Sequence, residues 1–342
     1  MGGGVFERRQ RRTEGKVTAL QQSLEEQLGE RTGHLIGEHT CVYATGSCGR
    51  GEMGKGSDLD AYIAQVDDER RELEPLVTAV RTANDAAGLP TLDGNGKYLQ
   101  PVRATELLDL IGDPQDDGRG VLTKRMLLLL ESRVLLGQPA HDTIVDKILD
   151  AYWLNEDLHS SDYLPFVLVN DIVRYWRIVL LNHESRLRDK RLELEQDASL
   201  SAEDLPAVLL AERRYKSYKM RLARCLTCFS ALTYLLALTA DDPVRVTRQD
   251  VRTMVGRTPL QRLRNLSDVA GRDVPFVDEM LDLYRIYLER TEEGKEAMVV
   301  RLREDQPFQR QVSRQGSRFT ELMFNLVQEL GQGRPLHRHM LV

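Results

Sequence analysis

The residues best suited to chemistry lie in one stretch, residues 46–60, which reads GSCGRGEMGKGSDLD. Asp58 and Asp60 are two positions apart, and successive side chains of a β-strand alternate between its faces. A strand here would therefore place both carboxylates on one face. Adjacent carboxylates repel each other unless a cation lies between them, and Mg²⁺ favours oxygen ligands that include substrate phosphates. We predict that this pair binds Mg²⁺ (or Mn²⁺).

The beginning of the same stretch is suited to binding phosphate. Gly46 and Ser47 follow the apolar segment HTCVYAT, which predicts a strand. If a turn or helix follows, the backbone N–H groups point at an anion, the Ser47 hydroxyl adds a donor, and glycine allows close approach. A Gly-Ser or an Asp-x-Asp alone occurs often by chance. Together, a phosphate cradle and a metal pair indicate nucleotidyl transfer.

In this order and spacing, the stretch resembles the DNA polymerase β-type nucleotidyltransferase superfamily, in which a Gly-Ser precedes an Asp-x-Asp. GSCGRGEMGKGSDLDAYI is most similar to the nucleotidyltransferase domain of protein-PII uridylyltransferases and of uncharacterised bacterial nucleotidyltransferase-like proteins, which carry G(G/S)xGRGE followed by SDxD. The resemblance is strong over residues 40–65. It is weaker over residues 120–240, where LLLLESRVLLG and VLVNDIVRYWRIVLLNHESR are similar to helices of that group.

The resemblance implies a role for each matching residue. The two aspartates would ligate the metal and are the predicted catalytic residues. Arg50 and Glu52 belong to the GRGE element: Arg50 would contact a phosphate, whereas Glu52 would brace the loop. Ser57 would orient the first aspartate through a hydrogen bond. The predicted nucleotide-binding residues are Gly46, Ser47, Arg50, Ser57, Arg174 and Lys219.

A third carboxylate, which many members of the superfamily place on a later strand, has no obvious counterpart. The corresponding segment is TLDGNGKYLQPVRA, whose one acid is Asp93, and this residue also suits a DGNG turn. Glu131 is a second candidate, with a salt bridge to Arg133 or Arg103 as the structural alternative. Without a third acid, substrate or solvent would accept the proton, or the protein would be inactive.

The elements around this stretch predict an α+β fold. A helix is expected over residues 14–30, strands over HTCVYAT and DLDAYIA, a helix ending near Ala87, and short strands before Ala104. After Ala104 the pattern is almost entirely helical. We predict a small mixed-sheet domain over residues 1–115, a nucleotidyltransferase domain by resemblance, and a larger all-helical domain over residues 116–335.

Two long helices of the second region, residues 163–194 and 205–239, are expected to form an antiparallel hairpin. They carry polar residues at helical spacing, namely Asn170, Asp171, Arg174 and Arg177 on one helix and Arg213, Lys216, Lys219 and Arg224 on the other. If these face the first domain, Arg174 and Lys219 would meet the triphosphate, and Asp171 would supply the missing carboxylate. The alternative is an ion-pair network between the helices that also uses Glu184.

Composition indicates a cytoplasmic protein that does not bind a membrane. The net charge of −6 argues against a protein that coats nucleic acid non-specifically, and the basic ERRQRR near the N-terminus is expected to be solvated, with an RNA contact as the alternative. Four cysteines include one CxxC, Cys225 and Cys228, with no second ligand pair nearby, so buried thiols in a reducing compartment are expected. The apolar run from Cys225 is shorter than the ~20 residues that span a bilayer, so we interpret it as a buried helix.

The predicted function is that of an enzyme. A metal-bound nucleoside triphosphate would donate its monophosphate to a protein, an RNA such as tRNA, a nucleotide or a small molecule, and pyrophosphate would leave. The alternative is a regulatory or antitoxin-like protein that binds a nucleotide with little turnover, which the missing third acid favours. A purely structural helical scaffold fits the 46–60 stretch least well.

Overall fold

The structure is a computed structural model that describes residues 4–69, 71–92, 99–113, 115–154, 156, 162–196, 201, 203–239 and 245–341. It is 72% helical with one small four-stranded sheet, which confirms the α+β layout. The chain divides into two compact units. The first comprises residues 1–168 with 243–258, and the second comprises residues 169–242 with 259–342. The first unit thus continues past residue 115, where the sequence placed the domain boundary, and the chain returns to it later.

The elements follow in chain order. The first unit contains α1 (Val5–Leu28), a 3₁₀ turn (Gly29–Arg31), α2 (Thr32–Leu35), β1 (Thr40–Thr45), α3 (Gly46–Gly49), β2 (Asp60–Gln65), α4 (Glu74–Ala86), β3 (Val102–Arg103), α5 (Ala104–Asp109), α6 (Gln115–Gly118), α7 (Val121–Glu131), β4 (Arg133–Leu136) and α8 (Gln138–Tyr152). Then come α9 (Phe166–Glu195), α10 (Leu205–Lys219), a π-helical turn (Met220–Arg224), α11 (Cys225–Leu238), α12 (Arg248–Val255), α13 (Pro259–Arg264), α14 (Leu266–Ala270), α15 (Val277–Arg290), α16 (Lys295–Glu304), α17 (Gln306–Gly331) and α18 (Pro335–Leu341).

The sheet has the strand order β3-β2-β1-β4. β1 is antiparallel to β2 and β4, whereas β2 is parallel to β3. Side chains alternate along β1 and β2. One face, which includes Val42 and Ile63, packs in a core shared with α1 and α4. The other face carries Tyr43 and Tyr62, whose rings stack at 5.5 Å, and is covered by α7 and α8.

Helix α1 confirms the helix expected over residues 14–30, although it begins earlier, at Val5, and ends at Leu28. Its apolar side chains recur every three or four positions, and they are buried against α4. The buried stripe extends upstream through Thr13 and Arg9. Because Thr13 and Arg9 are polar, the pattern of apolar residues alone predicted that the helix begins later than it does.

The most buried helix of the second unit is α11, whereas α10 before it is largely half-buried or exposed. α11 packs against α13, α14 and α17, and its thiols Cys225 and Cys228 are buried and unpaired in disulfides, as expected. Burial raises the pKa of the Cys225 thiol to about 12, so it stays protonated. Among the described residues, Leu205–Leu238 is the one helix long and apolar enough to cross a membrane, but 78% of its apolar window is buried within the structure.

Candidate functional site

The glycine loop, defined here as residues 46–52 (GSCGRGE), connects the end of β1 to the chain that leads into β2. Gly46 has a positive φ of 65°, a conformation that favours glycine, and it opens the single helical turn α3. Three backbone hydrogen bonds close the loop: Arg50 N–H donates to Gly46 O (3.0 Å), Gly51 N–H to Cys48 O (3.1 Å), and Glu52 N–H to Ser47 O (2.7 Å). The predicted strand followed by a glycine turn is therefore present.

Asp60 lies directly beside this loop. The antiparallel register pairs Thr45 with Asp60, so the last residue of β1 faces the first residue of β2. A Cβ atom on Gly46 would lie 2.7 Å from Asp60 Oδ2. A side chain at position 46 would thus collide with the carboxylate, and glycine lets the two approach. The structure brings together the predicted Gly-Ser and the second predicted aspartate.

Asp58 is positioned differently from the prediction. The strand begins at Asp60, so Asp58 lies two residues before β2 instead of inside it, and its side chain is exposed. Ser57 does not show the predicted contact to Asp58. Its hydroxyl accepts a hydrogen bond from Gly54 N–H at 2.8 Å, which closes a short turn. This turn, not a strand partner, sets the backbone that leads into the aspartates.

Arg50 is committed to the interior. Its Nε donates to Glu52 Oε2 at 2.9 Å, and its NH1 donates to Glu131 Oε2 at 2.8 Å. The three side chains are 5%, 5% and 0% exposed. The predicted phosphate contact of Arg50 therefore competes with two buried carboxylates, and the bracing role predicted for Glu52 fits the observed contacts.

Glu131, at the end of α7, anchors the glycine loop. Its Oε1 accepts the Gly46 N–H at 3.3 Å, so this donor of the predicted phosphate cradle already has a carboxylate partner. The predicted salt bridge of Glu131 exists, but its partner is Arg50 instead of Arg133 or Arg103. A Cβ atom on Gly49 would lie 1.8 Å from Glu131 O, so only glycine lets the loop lie against the helix end.

Helix α1 holds the loop from the other side. Arg9 NH1 donates to Glu52 O at 2.9 Å, and Arg12 NH1 donates to Met53 O at 3.1 Å. Met53 N–H in turn donates to Thr13 Oγ1 at 3.0 Å. Arg9 is only 4% exposed. The expectation of a solvated ERRQRR is therefore wrong for Arg9, since its guanidinium satisfies a loop carbonyl. The spacing of four between Arg9, Thr13 and Val17 was the available sequence signal.

The third carboxylate does not come from β3, the strand that follows α4. Its two residues are Val102 and Arg103, and neither is acidic. Asp93, the predicted candidate, lies outside the described residues.

Arg174 and Lys219 belong to the second unit. Arg174 NH1 donates to Asp171 Oδ1 at 2.9 Å, and the Asp171 side chain is fully buried. Lys219 Nζ lies 5.6 Å from the centre of the Tyr215 ring, within cation–π range. Both residues lie on α9, so this ion pair is within one helix, and the predicted network between the two helices stays a prediction.

Two basic residues of α10, Arg213 and Lys216, lie near His183 of α9. Burial lowers the pKa of His183 on α9, and the positive charges of Lys216 and Arg213 lower it further. Another residue of α10, Glu212, accepts Lys295 Nζ of α16 at 3.0 Å. Charged residues of α10 therefore interact with neighbouring helices of the same unit.

The glycine loop has few candidate metal ligands next to it. Within the described part of the chain, no group of three or more His, Cys, Asp or Glu side chains is arranged to hold a metal ion. Mg²⁺ commonly uses only one or two protein carboxylates and fills its other positions with water and phosphate oxygens. Asp58 and Asp60, one exposed and one half-buried, fit a site of that kind.

Comparisons of the chain with protein-family models, with curated proteins and with solved structures found no match.

Proposed function

We propose that the chain is a metal-dependent nucleotidyltransferase that uses the glycine loop and the aspartates next to it. The observation that carries the proposal is the contact between the Asp60 carboxylate and Gly46, at the junction of β1 and β2. A glycine turn against a carboxylate lets a phosphate chain approach the backbone while a bound cation offsets the two negative charges.

Each part of the loop has a distinct task in this proposal. Asp60 and Asp58 would hold Mg²⁺ or Mn²⁺, which when bound neutralises triphosphate charge. Ser47 offers a hydroxyl and a backbone N–H, and no described side chain accepts a hydrogen bond from that N–H. The buried carboxylates around Arg50 keep the loop in one conformation, so its donors are positioned before the substrate binds.

The acceptor can be a protein, an RNA, a nucleotide or a small molecule. β3 carries no acid and Glu131 is bound to Arg50, so neither supplies a free carboxylate to remove a proton from the acceptor. In this proposal the proton passes to substrate or solvent. Acceptors that ionise readily would therefore react faster than simple alcohols.

A second candidate is a nucleotide-binding regulatory protein with little turnover. Two observations favour it: the Gly46 N–H donates to Glu131, and the Arg50 guanidinium is enclosed by carboxylates. Both groups would have to be released before they could stabilise a transition state. A protein that only senses a nucleotide needs fewer such contacts.

The deciding experiment measures pyrophosphate release from each of the four nucleoside triphosphates with Mg²⁺ or Mn²⁺, with cell extract as a source of acceptor. The test variant is Asp58→Asn/Asp60→Asn. The matched control is Asp85→Asn, an exposed aspartate on α4. Binding of a fluorescent nucleotide analogue is measured in parallel. Folding of each variant is checked by circular dichroism.

Release by the wild type and by Asp85→Asn, but not by the double variant, would support the enzyme. Nucleotide binding that is lost in the double variant, with no release in any condition, would support the regulatory protein. Absence of both release and binding would refute the proposal and its alternative together.

A further inference from the structure

A second cleft lies in the first unit between the edge strand β3 and helix α4. Its volume is about 500 Å³, within the range of small-ligand sites. The parallel register pairs Gln65, the last residue of β2, with Arg103 of β3, so these two side chains lie next to each other on one face of the sheet. Both line the cleft, together with residues of α4.

Gln65 is the feature that points to a ligand. The residue is 5% exposed, and its side-chain Nε2 has no hydrogen-bond partner among the described residues. Most buried polar side-chain atoms in proteins are hydrogen-bonded, and an unmet buried donor costs free energy. Gln65 lines the cleft, so a ligand atom that accepts a hydrogen bond would satisfy this amide once the side chain turns its covered Nε2 toward the cleft.

The charged residues of the cleft favour a ligand with an anionic group. Arg103 is half-buried and forms no ion pair with any residue in the described ranges. Arg81 lies at the exposed rim, and Arg71 is already bound by Asp67 at Oδ2 (3.0 Å). A guanidinium beside an amide N–H is a suitable donor pair for the two oxygens of one oxyanion.

Two exposed glutamates at the rim, Glu74 and Glu106, restrict what else the ligand carries. Their carboxylates would repel a second anionic group at that position but would accept hydrogen bonds from hydroxyl or amine groups. The cleft therefore suits a small molecule with one oxyanion group at the sheet end and uncharged or cationic donors at the rim.

This cleft is separate from the glycine loop. Asp60 is at the beginning of β2 and Gln65 is at its end, and a strand rises about 3.3 Å per residue, so the two positions are roughly 16 Å apart. No residue of the glycine loop lines the cleft. A ligand in the cleft would thus leave the loop accessible, and the two sites can be tested independently.

We propose that this cleft binds the phosphate or carboxylate group of a small metabolite through the Gln65 amide and the Arg103 guanidinium. The binding requires no divalent metal. The role is that of a second ligand site in the same unit as the glycine loop, and it stands whether or not the chain catalyses nucleotidyl transfer.

The test is a titration of the full chain with inorganic phosphate and, separately, with succinate, in the presence of EDTA. Binding is followed by calorimetry and by the side-chain amide resonances of Gln65 in ¹⁵N spectra, assigned by their loss in Gln65→Met. The cleft variants are Gln65→Met and Arg103→Gln. The controls are Arg11→Gln, an exposed arginine on α1, and Asp58→Asn/Asp60→Asn.

We expect one of the two probes to bind with a dissociation constant on the order of 1 mM and to shift the Gln65 amide signals. Arg103→Gln should weaken this binding roughly tenfold, since a hydrogen bond to a charged group is lost, while both controls leave it unchanged. The stronger probe distinguishes a phosphate-bearing ligand from a carboxylate-bearing one.

Three results would overturn the proposal. One is that neither probe binds, and another is that binding is unaffected by both cleft variants. The third is that binding is lost only in the Asp58/Asp60 variant, which would assign it to the glycine loop. Because Gln65→Met and Arg103→Gln change different elements, misfolding of one variant still leaves the other to test the cleft.

Discussion

Replacing Arg50 tests whether its ion cluster fixes the glycine loop. In Arg50→Met, the carboxylates of Glu52 and Glu131 lose a guanidinium that now lies 2.9 Å and 2.8 Å from them. Removing one partner of a buried ion pair costs about 3–5 kcal/mol, because the remaining charge stays buried without compensation. For a unit of this size each kcal/mol lowers the melting temperature by about 2–4 °C. We therefore expect a decrease of roughly 10 °C for the first unit.

The comparison variant is Glu131→Gln, which keeps the shape of the side chain and an acceptor for the Gly46 N–H. Arg50 still has Glu52 as an ionic partner, so the expected loss is smaller, about 1–3 kcal/mol for a hydrogen bond to a charged group. Arg11→Met, at an exposed arginine, serves as the control and should stay within about 0.5 kcal/mol of the wild type.

The assay is thermal and urea unfolding of the full chain, followed by circular dichroism, with hydrogen exchange of the loop amides as a local readout. A melting temperature of Arg50→Met close to that of Arg11→Met would refute the reasoning, as would a larger loss in Glu131→Gln than in Arg50→Met. Either result would mean that the cluster does not carry the stability assigned to it.

Three further predictions concern the same unit. Gly49→Ala should lower the free energy of unfolding by more than about 2 kcal/mol, because the new Cβ would overlap Glu131 O. Gly15→Ala, in open space within α1, is the control and should raise it by about 0.5–1 kcal/mol. Equal changes of the two variants in urea unfolding would contradict this reasoning. Burial lowers the pKa of His141 from 6.5 to about 4, so the folded state keeps it neutral while the unfolded chain takes up a proton. The contribution of His141 to the free energy of unfolding is therefore fully present above pH 6.5 and is lost as the pH falls to about 4. The total loss is up to about 3 kcal/mol. His141→Gln should flatten the dependence of stability on pH between these two values. Asp146 of α8 forms ion pairs with Arg248 and Arg252 of α12. Asp146→Ala should therefore lower the free energy of unfolding by about 0.5–1 kcal/mol at low salt and by less at 1 M NaCl. A loss that does not depend on salt would argue against an ionic origin.

The local elements of the site were accessible from the sequence. An apolar run that ends in Gly-Ser predicted β1 and the turn after it, and DLDAYI predicted β2. The helical stripe around Val17 and Leu24 predicted the core face of α1, and the CxxC predicted buried thiols. Each of these features depends on side-chain periodicity or turn chemistry within a few residues, which one sequence contains directly.

The partners of the charged residues were decided by the tertiary structure. Arg50 matched a phosphate-contacting pattern, yet it bonds Glu131, which is 81 positions away in the sequence. Arg9 looked solvated, but the start of α1 lies beside the glycine loop. Position in the sequence does not indicate which buried carboxylate will offset a buried guanidinium, since that depends on how α7 packs against β1.

The cleft between β3 and α4 also depends on the tertiary structure more than on local sequence. Gln65 and Arg103 are unremarkable residues until the parallel pairing of β2 with β3 places them next to each other. The sequence by itself determined the strand, the glycine turn and the aspartates, because these follow from local backbone preferences. The tertiary structure determined which of those groups face each other, because strand register and helix packing are set by the burial of the whole apolar core and not by any single segment.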